Sequence, residues 1–142
     1  MTAAVLPSDP SSSPADLPAL RLQLQQLQQL HQSGTLDEAE VSRVLSLFPG
    51  AISLADHDAR MDKLLWLGAT GPASRQLAFT SPDRRPIFAA RLAMRSGAVD
   101  AAMQASAIEA QYPSLTRTDP GYIADKATWL RKAGRVGEAR AL

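Results

Sequence analysis

The sequence predicts an all-α protein, an α-solenoid of antiparallel helical hairpins preceded by a disordered N-terminal tail. Alanine and leucine number 44 of the 142 residues, against nine valines and isoleucines, and this ratio favours helices over strands. Four glycines recur at intervals of 34, 29 and 37 residues, which indicates a repeated helical pair. The length suits one folded domain.

The composition excludes several classes of protein. There is no cysteine, so disulfides, thiol catalysis and zinc–thiolate sites are excluded. A net charge of +1 argues against a protein whose main role is to grip a nucleic acid. No apolar stretch approaches the ~20 residues of a membrane span. We therefore expect no nucleic-acid partner, no membrane span, no cofactor and no metal site.

Residues 1–18 are predicted to be the disordered tail. They contain four prolines, four serines and no basic residue, a composition that buries too little apolar surface to order the backbone. The basic start and the apolar run of a secretory signal peptide are missing. The protein is therefore expected in the cytoplasm if Met1 is the true start.

Residues 19–142 are predicted to form one helical domain. Its first helix is indicated by the spacing of Leu17, Leu20, Leu24 and Leu27, which places them on one face. Capping residues, prolines and glycines delimit the later helices. The predicted helices cover residues 17–33, 36–48, 54–67, 72–79, 83–96, 98–111, 120–133 and 135–142.

Helix starts are marked by two kinds of signal. A serine or threonine followed three residues later by an acid predicts a capping box, in which each side chain bonds the other residue's backbone N–H. An N-cap residue followed by proline predicts a helix with proline in its first turn. The first kind occurs at Thr35–Glu38 and Ser53–Asp56, the second at Ser81 and Asp119.

The repeated unit is centred on the four glycines, which are Gly34, Gly68, Gly97 and Gly134. Each is predicted to take the left-handed conformation that ends a helix. An alanine five residues later is predicted to let the second helix pack closely; these are Ala39, Ala73, Ala102 and Ala139. The positions four residues before the glycines are Leu30, Leu64, Ala93 and Leu130. The unit indicates a degenerate tetratricopeptide-like hairpin, and a stack of such hairpins forms a right-handed superhelix.

The end repeats of a solenoid need a polar outer face. Residues 135–142 give barely two helical turns, and Ala139 and Leu142 have no later element to bury against. We therefore expect a domain truncated at its C-terminus or completed by a partner.

From about residue 59 to residue 142 the chain resembles the helical superhelix of soluble lytic murein transglycosylases. The resemblance lies in residues 81–97, SPDRRPIFAARLAMRSG, and above all in residues 119–142, DPGYIADKATWLRKAGRVGEARAL. The second stretch has the family's order of an Asp-Pro-Gly-Tyr start, a Trp-Leu-Arg turn and a glycine hairpin.

The resemblance implies a function in peptidoglycan remodelling. These periplasmic enzymes cleave glycan strands and close a 1,6-anhydro ring, using one glutamate in a separate, C-terminal catalytic domain. That glutamate is followed by serine in the family, whereas none of the four glutamates here is. The resemblance therefore implies a non-catalytic module, with no catalytic residue and with glycan strands or a C-terminal catalytic domain as its partner.

The candidate binding residues are four arginines and one tyrosine. Arg91 and Arg95 share a helix face and Arg84 lies two turns before Arg91, so a basic stripe facing anionic peptidoglycan or a partner is one interpretation. A solvated helix face is the other. The full set is Arg84, Arg85, Arg91, Arg95 and Tyr122.

Other groups favour structural roles. Asp56, His57, Asp58 and Asp62 are dense in metal-ligand types, but acids in a first helical turn are favoured by the helix dipole alone. Trp66 and Trp129 suit either packing between repeats or stacking on sugars, and packing is preferred. His31 is expected at the end of a solvated helix.

Three functions remain open. The leading hypothesis is a non-catalytic module of a lytic transglycosylase that shapes a groove around glycan. The alternative is a stand-alone adaptor that binds a protein segment on its concave face. The third is a cytosolic enzyme with an unrecognised site, and we expect no cleavage of glycan by this chain alone.

Overall fold

A computed structural model describes residues 17–47 and 50–142, and in this part of the chain the regular structure is helical, with no strand. The predicted tail lies outside the described residues, apart from its last two positions, which begin the first helix. The helices are α1 (Leu17–Gln32), α2 (Glu38–Leu47), α3 (Leu54–Trp66), α4 (Thr70–Gln76), α5 (Arg85–Ser96), α6 (Ala101–Gln111), α7 (Pro113–Thr118), α8 (Pro120–Lys132) and α9 (Val136–Arg140), with a 3₁₀ turn at Leu77–Phe79.

The all-α prediction is confirmed, and one helix was missed. Residues between the predicted sixth and seventh helices form the short helix α7, which begins at Pro113. Proline is tolerated there because the first N–H groups of a helix have no intrahelical partner. Pro113 therefore starts a helix inside the interval that was predicted to separate residues 111 and 120.

The glycine turns are the best-predicted feature of the chain. Gly34, Gly68, Gly97 and Gly134 have φ between 69° and 79°, the left-handed conformation. At the last three, the residue after the glycine donates its N–H to the carbonyl five residues back, on Leu64, Ala93 and Leu130. These bonds satisfy carbonyls that the helix end leaves free. The positions four residues before the glycines are thus the acceptors that close each turn.

The first glycine turn uses a side chain instead. The Ser33 hydroxyl donates to the Leu30 carbonyl at 2.7 Å, and the Thr35 N–H reaches that hydroxyl at 3.4 Å. The serine hydroxyl therefore bridges the Thr35 N–H and the Leu30 carbonyl, the two groups that would bond directly in the other turns.

The predicted caps are partly confirmed. Ser53 and Asp56 form a complete capping box, and Asp119 accepts a hydrogen bond from the Tyr122 N–H at 2.8 Å. The prediction at Thr35–Glu38 is wrong. α2 is instead preceded by Asp37, whose carboxylate accepts from the Glu40 N–H at 2.8 Å and whose own N–H donates to the Glu40 carboxylate at 3.1 Å. The box has the predicted spacing but lies two residues later.

The helices pack as successive pairs. Each glycine turn joins two helices, and the first members follow one another in space, with α1 against α3, α3 against α5 and α5 against α8. The cores follow the same order. Leu27 and Val44 pack together in the first pair, Met61, Leu64 and Ala73 in the second, and Ile87, Met94, Ala105 and Ile108 in the third.

The alanines after the glycines fit their predicted role at only two positions. Ala73 and Ala139 are buried, whereas Ala39 and Ala102 are exposed. In the third pair α6 begins at Ala101, and this alanine is the buried one. The next residue, Ala102, is exposed to solvent.

Candidate functional site

An open groove of about 550 Å³ crosses the first helices of successive pairs. One wall is the exposed side of α3 and the other is the start of α8, and Arg84, just before α5, also lines it. The side chains that give the groove its chemistry are Asp58, Asp62, Trp66, Arg84 and Asp119. It therefore combines one aromatic surface with charges of both signs.

The wall of the groove on α3 arises from helical spacing. Asp58, Asp62 and Trp66 are four residues apart, so they stack along one face. Asp58 accepts from the Ser81 N–H at 2.8 Å and from its hydroxyl at 2.6 Å, which holds the segment before α5 against α3. This face of α3 therefore has two roles: it holds the segment that leads into the third helical pair, and it lines the groove.

Trp66 corrects the expectation that it would be packed between repeats. Its side chain is 47% exposed at the end of α3 and lines the groove. Trp129, in contrast, is partly buried against the core of the third pair. Of the two tryptophans, Trp66 is thus the exposed one and the one that lines this groove.

Arg91 is not a surface residue, and this corrects its prediction as a binding group. It is 0% exposed, and its Nη1 donates to Asp62 at 2.6 Å while its Nε donates to Asp125 at 2.7 Å. Arg95 donates to the other oxygen of Asp125 at 2.7 Å. The four charges form a network that ties α3, α5 and α8 together beside the groove.

Gly121 makes this network possible. A Cβ at this position would lie 2.5 Å from both Nη atoms of Arg91. The guanidinium therefore packs directly on the α8 backbone. Each residue of the Asp-Pro-Gly-Tyr segment thus has a structural role: the aspartate caps the helix, the proline lies in its first turn, the glycine contacts Arg91 and the tyrosine belongs to the core.

Tyr122 is the core residue of that segment, so its prediction as a surface contact is wrong. It is 1% exposed, and its hydroxyl donates to Glu109 at 2.8 Å. Burial, followed by this bond to a carboxylate, raises the pKa of Tyr122. Burial opposes ionisation of Glu109, but the hydrogen bonds from Lys126 and Tyr122 outweigh it and lower its pKa.

The two remaining arginines are partly exposed and point to different neighbours. Arg84 lies 4.7 Å above the Phe88 ring and 4.0 Å from Asp119, inside the groove. Arg85 donates to the Thr80 carbonyl at 2.5 Å, outside the groove. The five predicted residues therefore do not form one stripe, and the groove contains only Arg84 from that set.

The aspartate-rich segment is divided among separate structural bonds. Asp56 closes the capping box and accepts from Gln32 at 2.5 Å, while the His57 Nδ1 accepts from the side-chain amide of Gln76 at 3.1 Å. In the described ranges no group of three or more His, Asp or Glu side chains is placed to hold a metal ion.

Sequence reasoning missed Asp125, which anchors both arginines. Its position gave a usable signal, because it lies one turn after Tyr122 and one turn before Trp129 on the apolar face of α8. An acid on such a face needs a buried partner. His31 was also misplaced: it is fully buried at the contact of α1 with α3.

Comparison with known proteins finds no matching family model, no matching curated protein and no matching solved structure. Among the helices that the structure describes, none combines the length and the apolar character needed to span a bilayer.

Proposed function

We propose that this chain is a non-catalytic helical-repeat module that binds glycan strands of peptidoglycan in the groove between α3 and the start of α8. The observation that carries the proposal is the exposed indole of Trp66 beside Asp62, Arg84 and Asp119. An aromatic face packs on the apolar face of a sugar ring, and charged side chains beside it bond the ring's hydroxyls.

The order of the helices supports the same proposal. The first helices of consecutive pairs follow one another along the molecule, as they do on the concave face of an α-solenoid. In this interpretation the pairs build the tetratricopeptide-like superhelix implied by the resemblance to lytic transglycosylases. Bond cleavage would belong to a catalytic domain, and the present chain would position the strand.

The buried ion-pair network around Arg91 suits a groove whose walls keep their positions when a ligand binds. Arg91 joins Asp62 on one wall to Asp125 on α8, which contributes the other wall. Because both bonds are between charged groups and Arg91 is buried, the separation of the walls is fixed. A preformed groove loses little conformational entropy when a ligand binds.

The test is retention on purified peptidoglycan sacculi, measured by co-sedimentation at pH 7. The wild-type chain should sediment with the sacculi, and Trp66→Ala should weaken the apparent affinity at least tenfold, the loss of about 1.4 kcal/mol. Phe79→Ala is the matched control, because Phe79 is an exposed aromatic residue outside the groove.

Three outcomes separate the alternatives. Equal retention of wild type and Trp66→Ala would remove the groove from the binding site. No retention of the wild type would overturn the glycan proposal and favour the adaptor function, in which an extended protein segment occupies the same groove. Release of anhydro-sugar products above a buffer control would contradict a non-catalytic role.

A further inference from the structure

A second cleft lies on the other side of α3, between α2 and α4, and has a volume of about 250 Å³. Its walls are largely apolar and include Val41, Leu45, Pro72 and Phe79. Arg60 and Gln76 are the polar lining residues that are almost fully buried. The other polar lining residues are exposed; they are Asp37, Glu38, Ser42 and Arg75. The cleft is thus a small apolar site with a cation at its inner surface.

Arg60 is the unusual group of this cleft. It is 4% exposed, its Nη1 donates to the His31 carbonyl at 3.1 Å and its Nη2 to the Leu36 carbonyl at 3.0 Å. Its Nε is buried and has no hydrogen-bond partner in the part of the chain that the structure describes. Among the described residues no carboxylate forms an ion pair with Arg60. A buried cation without a counter-ion is costly, so its presence needs an explanation.

The groups around Arg60 do not neutralise it. His31 is 0% exposed, and burial, then the neighbouring His57 and Arg60, lower its pKa to about 4, so it is uncharged at neutral pH. Asp56 is occupied by the capping box and by Gln32. The positive charge of Arg60 is therefore left for a group that enters the cleft.

The acids at the edge of the cleft are also engaged. Asp37 bonds the Glu40 N–H at the start of α2, and Glu38 lies 3.1 Å from Arg75, on α4. Both members of the Glu38–Arg75 pair are more than half exposed, and both line the cleft. Such an exposed pair is weak, so it presents little barrier to a ligand.

We propose that this cleft binds a free monocarboxylate with a short apolar tail, its carboxylate on Arg60 and its tail against Val41, Leu45 and Phe79. The charge of the ligand follows from the guanidinium that has no counter-ion among the described residues, and the apolar part of the ligand follows from the walls. The size follows from the volume, which is below the roughly 300 Å³ at which pockets for drug-sized ligands begin.

The probe for this site is hexanoate, with hexan-1-ol as its neutral match. Both are titrated at pH 7 into ¹⁵N-labelled protein, and amide shifts are followed by NMR. Hexanoate should shift amides around Val41 and Phe79 saturably, with an affinity at least tenfold above that of hexan-1-ol. Arg60→Met and Phe79→Ala should each weaken hexanoate binding at least tenfold. Trp66→Ala, in the other groove, should bind hexanoate as the wild type does.

Three results would overturn the proposed monocarboxylate site. If Arg60 only fastens two backbone carbonyls, hexanoate causes no saturable shift in the wild type, and the proposal is wrong. Equal affinities for hexanoate and hexan-1-ol, measured on the wild type alone, also overturn it, so the test stands even if Arg60→Met does not fold. A hexapeptide that ends in a free leucine carboxylate is the third probe. If it binds at least tenfold tighter than hexanoate, the proposal of a free acid is wrong and the ligand is the C-terminus of a peptide.

Discussion

Replacing Gly121 by alanine should destabilise the protein, although the same change stabilises most helices. Gly121 lies in α8, where alanine is favoured over glycine by about 1 kcal/mol. The added Cβ, however, would lie 2.5 Å from both Nη atoms of Arg91. Arg91 cannot withdraw easily, because Asp62 and Asp125 hold its guanidinium from two sides.

The expected size follows from these opposing contributions. Forcing extra volume into a packed site costs about 1–3 kcal/mol. A hydrogen bond between charged groups contributes about 1.5–3 kcal/mol, and displacing the guanidinium would break at least one. After the gain in helix propensity is subtracted, we expect Gly121→Ala to lower the free energy of unfolding by about 1.5–5 kcal/mol.

The assay is urea unfolding at pH 7, followed by circular dichroism at 222 nm. Gly137→Ala is the matched control, because Gly137 is also helical and a Cβ there meets no atom within 4 Å. It should leave stability unchanged or raise it by up to about 1 kcal/mol. If Gly121→Ala is as stable as Gly137→Ala, then the close packing of Arg91 on α8 is wrong.

Three further predictions concern single groups. Asp125→Ala should lower the free energy of unfolding by about 3–5 kcal/mol, because it leaves Arg91 buried with one partner; an unchanged urea midpoint would refute this. His31 has a pKa of about 4 in the fold against about 6.5 unfolded, so the unfolded state takes up its proton first as pH falls. Stability should drop by about 1.4 kcal/mol per pH unit between these values, and His31→Gln should remove that part of the slope; parallel slopes for both proteins would contradict the burial of a neutral imidazole. Ser53→Ala should cost about 1 kcal/mol through loss of its capping box, whereas Ser96→Ala should cost less, and equal effects would exclude the cap.

Local features of the fold were predictable because their causes are local. A left-handed glycine, a serine with an acid three residues later and an aspartate before proline each act within five residues of chain. Gly68, Ser53 and Asp119 accordingly have the predicted roles. The capping box before α2 was misplaced because Thr35 and Asp37 offer the same spacing, and sequence does not rank the two.

The groove was not predictable in the same way, because its residues come from α3, from the start of α8 and from Arg84 before α5. Helical spacing placed Arg91 and Arg95 on one face but could not show that Asp125 of α8 covers that face. Tyr122 was treated as a surface group because its partner Glu109 lies on a different helix, α6.

The most direct test of glycan binding in the groove is the fluorescence of Trp66 itself. The protein has two tryptophans, so Trp129→Phe leaves Trp66 as the only indole. Soluble glycan strands, released from sacculi by an amidase, are titrated into this variant at pH 7. Stacking on a sugar removes water from the half-exposed indole, so the emission should shift to shorter wavelength and saturate. An emission spectrum unchanged at saturating glycan would contradict binding of glycan in this groove.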